Sequence, residues 1–212
     1  MILLILRAWL VCSNKCLPFG TFLGKNLEVQ AFSNCHNNSL SIDLNYHTDI
    51  VTGLKYQSIE YARRWLIQVK NLAFKSIPCA SDIYHLNNFY YISSGESIPI
   101  YRIPNGSFCK PNEGSLLVYK RTKKLQIGHV AVITYVGNDH ISVSEQDWDN
   151  QMWNGDYSRN ITLKFVNLKY YVEDNEKILG WMSIKNKSMC VDSECKTCSK
   201  KYEGKLSACL YE

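Results

Sequence analysis

The chain has 212 residues, enough for one globular domain with some length to spare at its ends. Hydrophobic residues make up 46% of it, which supports a sizeable core, and no run of 18 or more apolar residues appears, which argues against a membrane-spanning helix. The net charge of +5 is spread along the chain, so composition gives no nucleic-acid footprint.

The first segment, 1–16, is apolar but broken by Arg7, and no basic residue precedes that arginine. It reads either as a short signal peptide or as an apolar extension packed on the domain. A secreted or vacuolar chain follows from the first reading and a cytoplasmic one from the second. Four Asn-x-Ser/Thr sequons, at Asn37, Asn105, Asn160 and Asn186, suit the secreted reading. Nine cysteines leave at least one unpaired if the others form disulfides.

The domain itself is placed at 17–185. A turn-rich entry at Leu17–Gly24 leads to an expected strand at Leu27–Ser33, and the Asn-rich stretch 34–52 reads as loop. From Tyr56 to Leu72, Ile59, Ala62, Leu66 and Val69 recur at helical spacing with Trp65 beside them. A second helix is expected within 80–90. The pattern then turns to short β-rich segments at 115–119, 128–134, 140–145, 161–165 and 179–184. Helices first and antiparallel strands after predict an α+β domain with N-terminal helices packed on an antiparallel sheet. Lys120, Arg121, Lys123 and Lys124 read as a solvated turn. Residues 186–212 read as a Lys- and Cys-rich tail. In it, Cys190, Cys195 and Cys198 resemble half of a zinc site, with Cys209 as a distant fourth ligand, but the spacing is irregular and no histidine follows, so disulfides or free thiols are expected and no metal.

Three places can carry chemistry. Ser58 starts the expected helix, where the dipole favours a negative charge. Gln57 precedes it and can offer an N–H to a developing oxyanion. A plain capping serine is the alternative. His129 enters a strand behind Gly128, and Glu145 ends the next strand. Neighbouring antiparallel strands can bring the two together, so that the carboxylate orients the imidazole.

Several stretches occur in one order: Pro18-Phe-Gly-Thr21, Tyr56-Gln57-Ser58-Ile-Glu60-Tyr-Ala-Arg63-Arg64, Pro104-Asn-Gly-Ser107, Gly128-His129-Val-Ala-Val-Ile-Thr134, Glu145-Gln146 and Leu179-Gly-Trp-Met182. Together they resemble the CHAP amidases, and most closely their glutathionylspermidine amidase branch. The resemblance runs from about Pro18 to Met182. It implies a papain-like CHAP domain that needs no cofactor and uses a cysteine nucleophile, a histidine base and an acidic third residue. Those roles fall on Ser58, His129 and Glu145, with Gln57 beside the oxyanion. The substrate side falls on Arg63, Tyr56, Gln146 and Asp147. The branch usually has Asn where this chain has Asp147. The implied ligand is a small peptide–polyamine conjugate or a cell-wall peptide, without nucleic acid or stable membrane insertion. The synthetase half of the bifunctional members is not matched, so no fused synthetase domain is expected.

Ser58 departs from this pattern at its most consequential position. A thiol with a free pKa of about 8.5 ionises near neutrality with help from a helix dipole and an imidazolium. A serine hydroxyl must lose its proton during attack. Little or no turnover is therefore the expectation. A non-catalytic binding homologue, a deliberately replaced cysteine and an adapted serine amidase all remain open.

Overall fold

A computed structural model describes residues 16–35 and 41–184. The leader up to residue 15, the tail with its four cysteines, and the sequons at Asn37 and Asn186 lie outside the described residues.

The chain first reverses at Leu27 and Glu28, whose φ values of 44 and 67 lie in the left-handed region. Two such residues in a row make the turn that suits a tight hairpin. The single strand expected over 27–33 is therefore a hairpin of β1 (Phe22–Asn26) and β2 (Val29–Phe32). A second hairpin, β3 (Leu44–His47) and β4 (Ile50–Leu54), occupies the end of the segment read as loop. It is largely solvent-exposed, so no buried face had to be written as an apolar alternation.

Helix α1 spans Ser58–Lys70. Glu60 in its first turn and Lys70 in its last complement the helix dipole. Asn71 closes it in the left-handed conformation, its N–H donating to the carbonyls of Ile67 and Leu66. Ala62, Trp65 and Leu66 pack with Val130 and Val132 in one core cluster. Truncating the fully buried Leu66 to Ala would cost about 2–5 kcal/mol.

The second expected helix is a short 3₁₀ turn, Ala80–His85, closed by the Leu86 N–H on the Ile83 carbonyl. It stops there because Leu86 is already extended and the β-prone Phe89-Tyr90-Tyr91 that follows joins a small sheet. That sheet holds β5 (Leu72–Ala73), β6 (Asn88–Tyr91) and β7 (Ser97–Pro99).

The remaining strands are β8 (Tyr101–Pro104), β9 (Leu116–Tyr119), β10 (His129–Val136), β11 (His140–Ser144), β12 (Arg159–Val166), β13 (Lys169–Glu173) and β14 (Ile178–Ser183). They form one antiparallel sheet in the order β13-β12-β11-β10-β9-β14-β8. Alternate residues of its central strands feed two cores. Leu116, Val118, Val130, Val132 and Met182 pack with α1. Leu117, Tyr119, Ala131, Ile133 and Trp181 point the other way, into the second cluster. The domain is thus a small α+β unit, mostly antiparallel sheet. It differs from the expected arrangement in having one α-helix and a 3₁₀ turn, with four strands ahead of the helix.

Cross-links tie the periphery down. Cys16 is disulfide-bonded to Cys35 across the first hairpin, with Cα atoms 5.8 Å apart. A loop of that length is worth about 3 kcal/mol in chain entropy. Cys79 and Cys109 are disulfide-bonded as well. Asn105 bridges to β13 through both amide atoms: Nδ2 donates to the Val172 carbonyl at 2.9 Å and Oδ1 accepts from its N–H at 2.8 Å. Among the described residues no helix is long and apolar enough to cross a membrane.

Candidate active site

The residue before His129 fixes where β10 begins. Gly128 has φ +76, and a Cβ there would sit 2.9 Å from the Ser81 backbone nitrogen and from the Tyr119 carbonyl. Only glycine lets the strand start this close to the 3₁₀ turn. His129 then pairs with Tyr119 across β9. On the other side Val132 pairs with Ser144, which sets the next residue, Glu145, on the same face of the sheet as His129.

Register makes the contact. His129 Nε2 lies 2.7 Å from Glu145 Oε2, and both side chains are almost wholly buried. The other carboxylate oxygen accepts from Arg159 Nε at 2.5 Å. Arg159 also donates to Asp174 Oδ2 at 2.7 Å and to Tyr119 Oη at 3.0 Å, and the Tyr119 hydroxyl donates to Asp174 at 2.6 Å. Trp148 stacks under the Arg159 guanidinium at 4.1 Å and beside His129 at 4.8 Å. Burial works against a charge on Glu145. The Arg159 guanidinium and the hydrogen bond from His129 outweigh it and hold the carboxyl below the usual range. Burial also opposes the charge on Asp174, and its bonds from Tyr119 and Arg159 likewise win.

Arg159, Asp174, Tyr119 and Trp148 carry no signal in the linear sequence. Arg159 reaches Glu145 only because it pairs with Val143, two residues before the glutamate.

Ser58 is the first residue of α1, and Gln57 is the capping residue, which makes no side-chain cap bond. The capping-serine alternative is thereby excluded. Ser58 is buried, and among the described residues its hydroxyl has no hydrogen bond, to His129 or to any other group. One turn on, the Tyr61 side chain interacts with Ser144, the neighbour of Glu145. Helix α1 packs along β10 on the side of Val130 and Val132, whereas His129 and Glu145 share the sheet face of Tyr119 and Ala131.

Gln57 and Arg63 line a cleft of about 290 Å³ with Val51, Leu54, Phe74 and Pro78. Arg63 donates to Tyr90 Oη at 3.3 Å, while its buried Nε has no partner among the described residues. Gln146 lies elsewhere. Its amide is held by Glu60, Arg64 and the Phe32 N–H in a buried network under the hairpins. Tyr56 packs between Phe19 and Phe32, 5.0 Å from each ring. Asp147, half-buried, takes a left-handed φ of 62 just after Gln146. In the basic turn, Lys124 pairs with Glu176 at 3.0 Å and Arg121 donates to the Gln126 carbonyl. Among the described residues no three His, Cys, Asp or Glu side chains gather as a metal site. The four described cysteines are all disulfide-bonded, so none supplies a free thiol.

No family model matches the chain. Trypanothione synthetase from Crithidia fasciculata is 29% identical over 174 residues, covering 79% of this chain and 27% of its own length. The bifunctional glutathionylspermidine synthetase/amidase of Escherichia coli strain K12 is 28% identical over 183 residues, covering 78% of this chain and 29% of its own length. Glutathionylspermidine synthase from Crithidia fasciculata is 26% identical over 137 residues. The chain is a homologue of these enzymes, consistent with the amidase domain of the bifunctional one. It spans less than a third of the length of the relatives it matches.

Proposed function

We propose that this chain is a papain-like, CHAP-type amidase domain built to act on an amide bond of a peptide–amine conjugate, and that Ser58 leaves it with little or no turnover. The observation that carries this is the buried His129–Glu145 pair at 2.7 Å, with His129 opening β10, the strand against which the helix that starts at Ser58 packs. In an active version, residue 58 attacks the acyl carbonyl. His129 takes its proton and returns it to the leaving amine as the C–N bond breaks. Glu145 orients the ring, and the backbone N–H at 58, with Gln57 beside it, faces the oxyanion. Water then hydrolyses the acyl-enzyme. The unpartnered N–H of Arg63 suits a carboxylate or carbonyl on the acyl side.

The test is product release from glutathionylspermidine by the protein and by a Ser58→Cys variant. Turnover by the cysteine variant alone is the expected outcome. No turnover by either, with the fold intact, removes the amidase reading for this conjugate. Serine itself favours a second reading, a binding domain that holds such a conjugate without cleaving it. That reading requires saturable calorimetric binding by the unaltered protein and no product.

A further inference from the structure

The chain of side chains behind Glu145 is longer than orienting a histidine requires. Glu145 is fully buried, and a lone carboxyl in such a place takes up a proton. A protonated carboxyl is a donor; an ionised one only accepts. The difference decides which nitrogen of His129 carries hydrogen. An accepting Glu145 obliges Nε2 to be the N–H and leaves the lone pair on Nδ1. A donating Glu145 reverses this and puts the hydrogen on Nδ1. Among the described residues Nδ1 has no hydrogen bond of its own, so no other contact sets the tautomer.

We propose that Arg159, held by Asp174 and Tyr119, is the positioning residue that fixes the tautomer of His129 by keeping Glu145 an acceptor. The geometry supports each link. Arg159 Nε meets the Glu145 oxygen that His129 does not use, at 2.5 Å. Its two remaining nitrogens are anchored on Asp174 and Tyr119, at 2.7 and 3.0 Å. Trp148 covers the guanidinium face. Asp174 matters because it holds the guanidinium in place: Arg159 carries one charge between two carboxylates, so the cluster keeps an anionic balance facing His129. The other ionisable groups whose charge reaches Glu145 among the described residues are Tyr61, from α1, and Tyr119, from β9, and burial holds both hydroxyls neutral. A lysine could supply the charge but not the three-way fork.

The catalytic meaning of this arrangement rests on the amidase reading; the tautomer does not. The experiment therefore uses the protein as it stands, with Ser58. Histidine is labelled with ¹⁵N, and long-range ¹H–¹⁵N spectra are recorded at pH 8, with the His129 signals identified by their loss in His129→Gln. The expected native pattern is Nε2–H with an unprotonated Nδ1. Arg159→Met is expected to move His129 to the Nδ1–H pattern, and Arg159→Lys to retain the native one. A folded Arg159→Met protein with the native pattern, or a native protein already in the Nδ1–H form, overturns the proposal. If Arg159→Met does not fold, the ¹³C carboxyl signal of Glu145 in the native protein decides. An ionised shift from pH 7 down to pH 5 supports it, and a protonated carboxyl at pH 7 sinks it. Failure of the cysteine variant to hydrolyse any conjugate would remove the amidase reading and leave these outcomes untouched.

Discussion

Glu60 and Glu145 are both buried, each against an arginine, and they differ in what else they touch. Glu60 accepts from Arg64 through both oxygens, and also from Asn45, Thr52 and Gln146. None of these partners changes protonation in the ordinary pH range. The cluster stitches α1 to both hairpins, since Arg64 also donates to the Gln30 carbonyl. Glu145 has two partners, and one of them is an imidazole. A carboxylate saturated by permanent donors locks a fold. One shared between a permanent cation and a titratable ring passes its state on to that ring.

The sharpest way to break the comparison is to neutralise each acid in turn. In the Ser58→Cys background, Glu145→Gln is expected to lower kcat about 10⁴-fold, the scale seen when the orienting acid of a catalytic triad becomes an amide. Its stability should suffer less, because Arg159 keeps Asp174 as a partner. Glu60→Ala should do the opposite. It leaves Arg64 buried without its carboxylate, at a cost of about 3–5 kcal/mol in urea denaturation. Turnover per folded molecule should hardly change. Equal stability losses at the two sites, with equal losses of rate, would erase the distinction.

A smaller effect is expected at Gln146, which is part of the Glu60 cluster despite its place next to Glu145 in sequence. Gln146→Leu should cost about 1–3 kcal/mol through unsatisfied buried partners, with KM for a conjugate unchanged. A raised KM at unchanged stability would return Gln146 to the substrate side. The smallest effect concerns acid. Glu145 and Asp174 both titrate below the ordinary carboxylate range in the folded protein. Their contribution is therefore present above the unfolded pKa of about 4 and is lost as pH falls through the folded value. Unfolding free energy should drop between pH 5 and pH 3, and drop less in Asp174→Asn. An identical pH slope in that variant would mean the pair is not coupled to folding.

Sequence reading reached the elements whose pattern is written locally. The Ile59, Ala62 and Leu66 spacing marks α1, and short β-rich runs broken by Gly, Asn and Asp mark β9, β10 and β11, which are buried on both faces. It missed β3 and β4, whose exposed hairpin needs no apolar stripe, and it read a helix within 80–90, where the chain makes a 3₁₀ turn over Ala80–His85 and then a strand. His129 and Glu145 were legible as candidates because strand ends on neighbouring strands can meet. Arg159 was not. Its contact depends on the register of β12, more than a dozen residues further on, and on a pairing that no local pattern announces. Gln146 was put on the substrate side by the resemblance alone, and its amide is held by Glu60, Arg64 and the Phe32 N–H under the hairpins.

The doubly bonded Asn105 has a consequence for biosynthesis. Its side-chain nitrogen is the atom to which an oligosaccharide would be attached, and in the finished fold that nitrogen is already donating to Val172 on β13. Val172 leaves the ribosome long after Asn105 does. In a host that glycosylates secreted chains, a sugar can be added to Asn105 only in the interval before β13 arrives to claim the amide. Site occupancy in a purified sample would then serve as a clock, recording how often the transferase reached the asparagine before the sheet did.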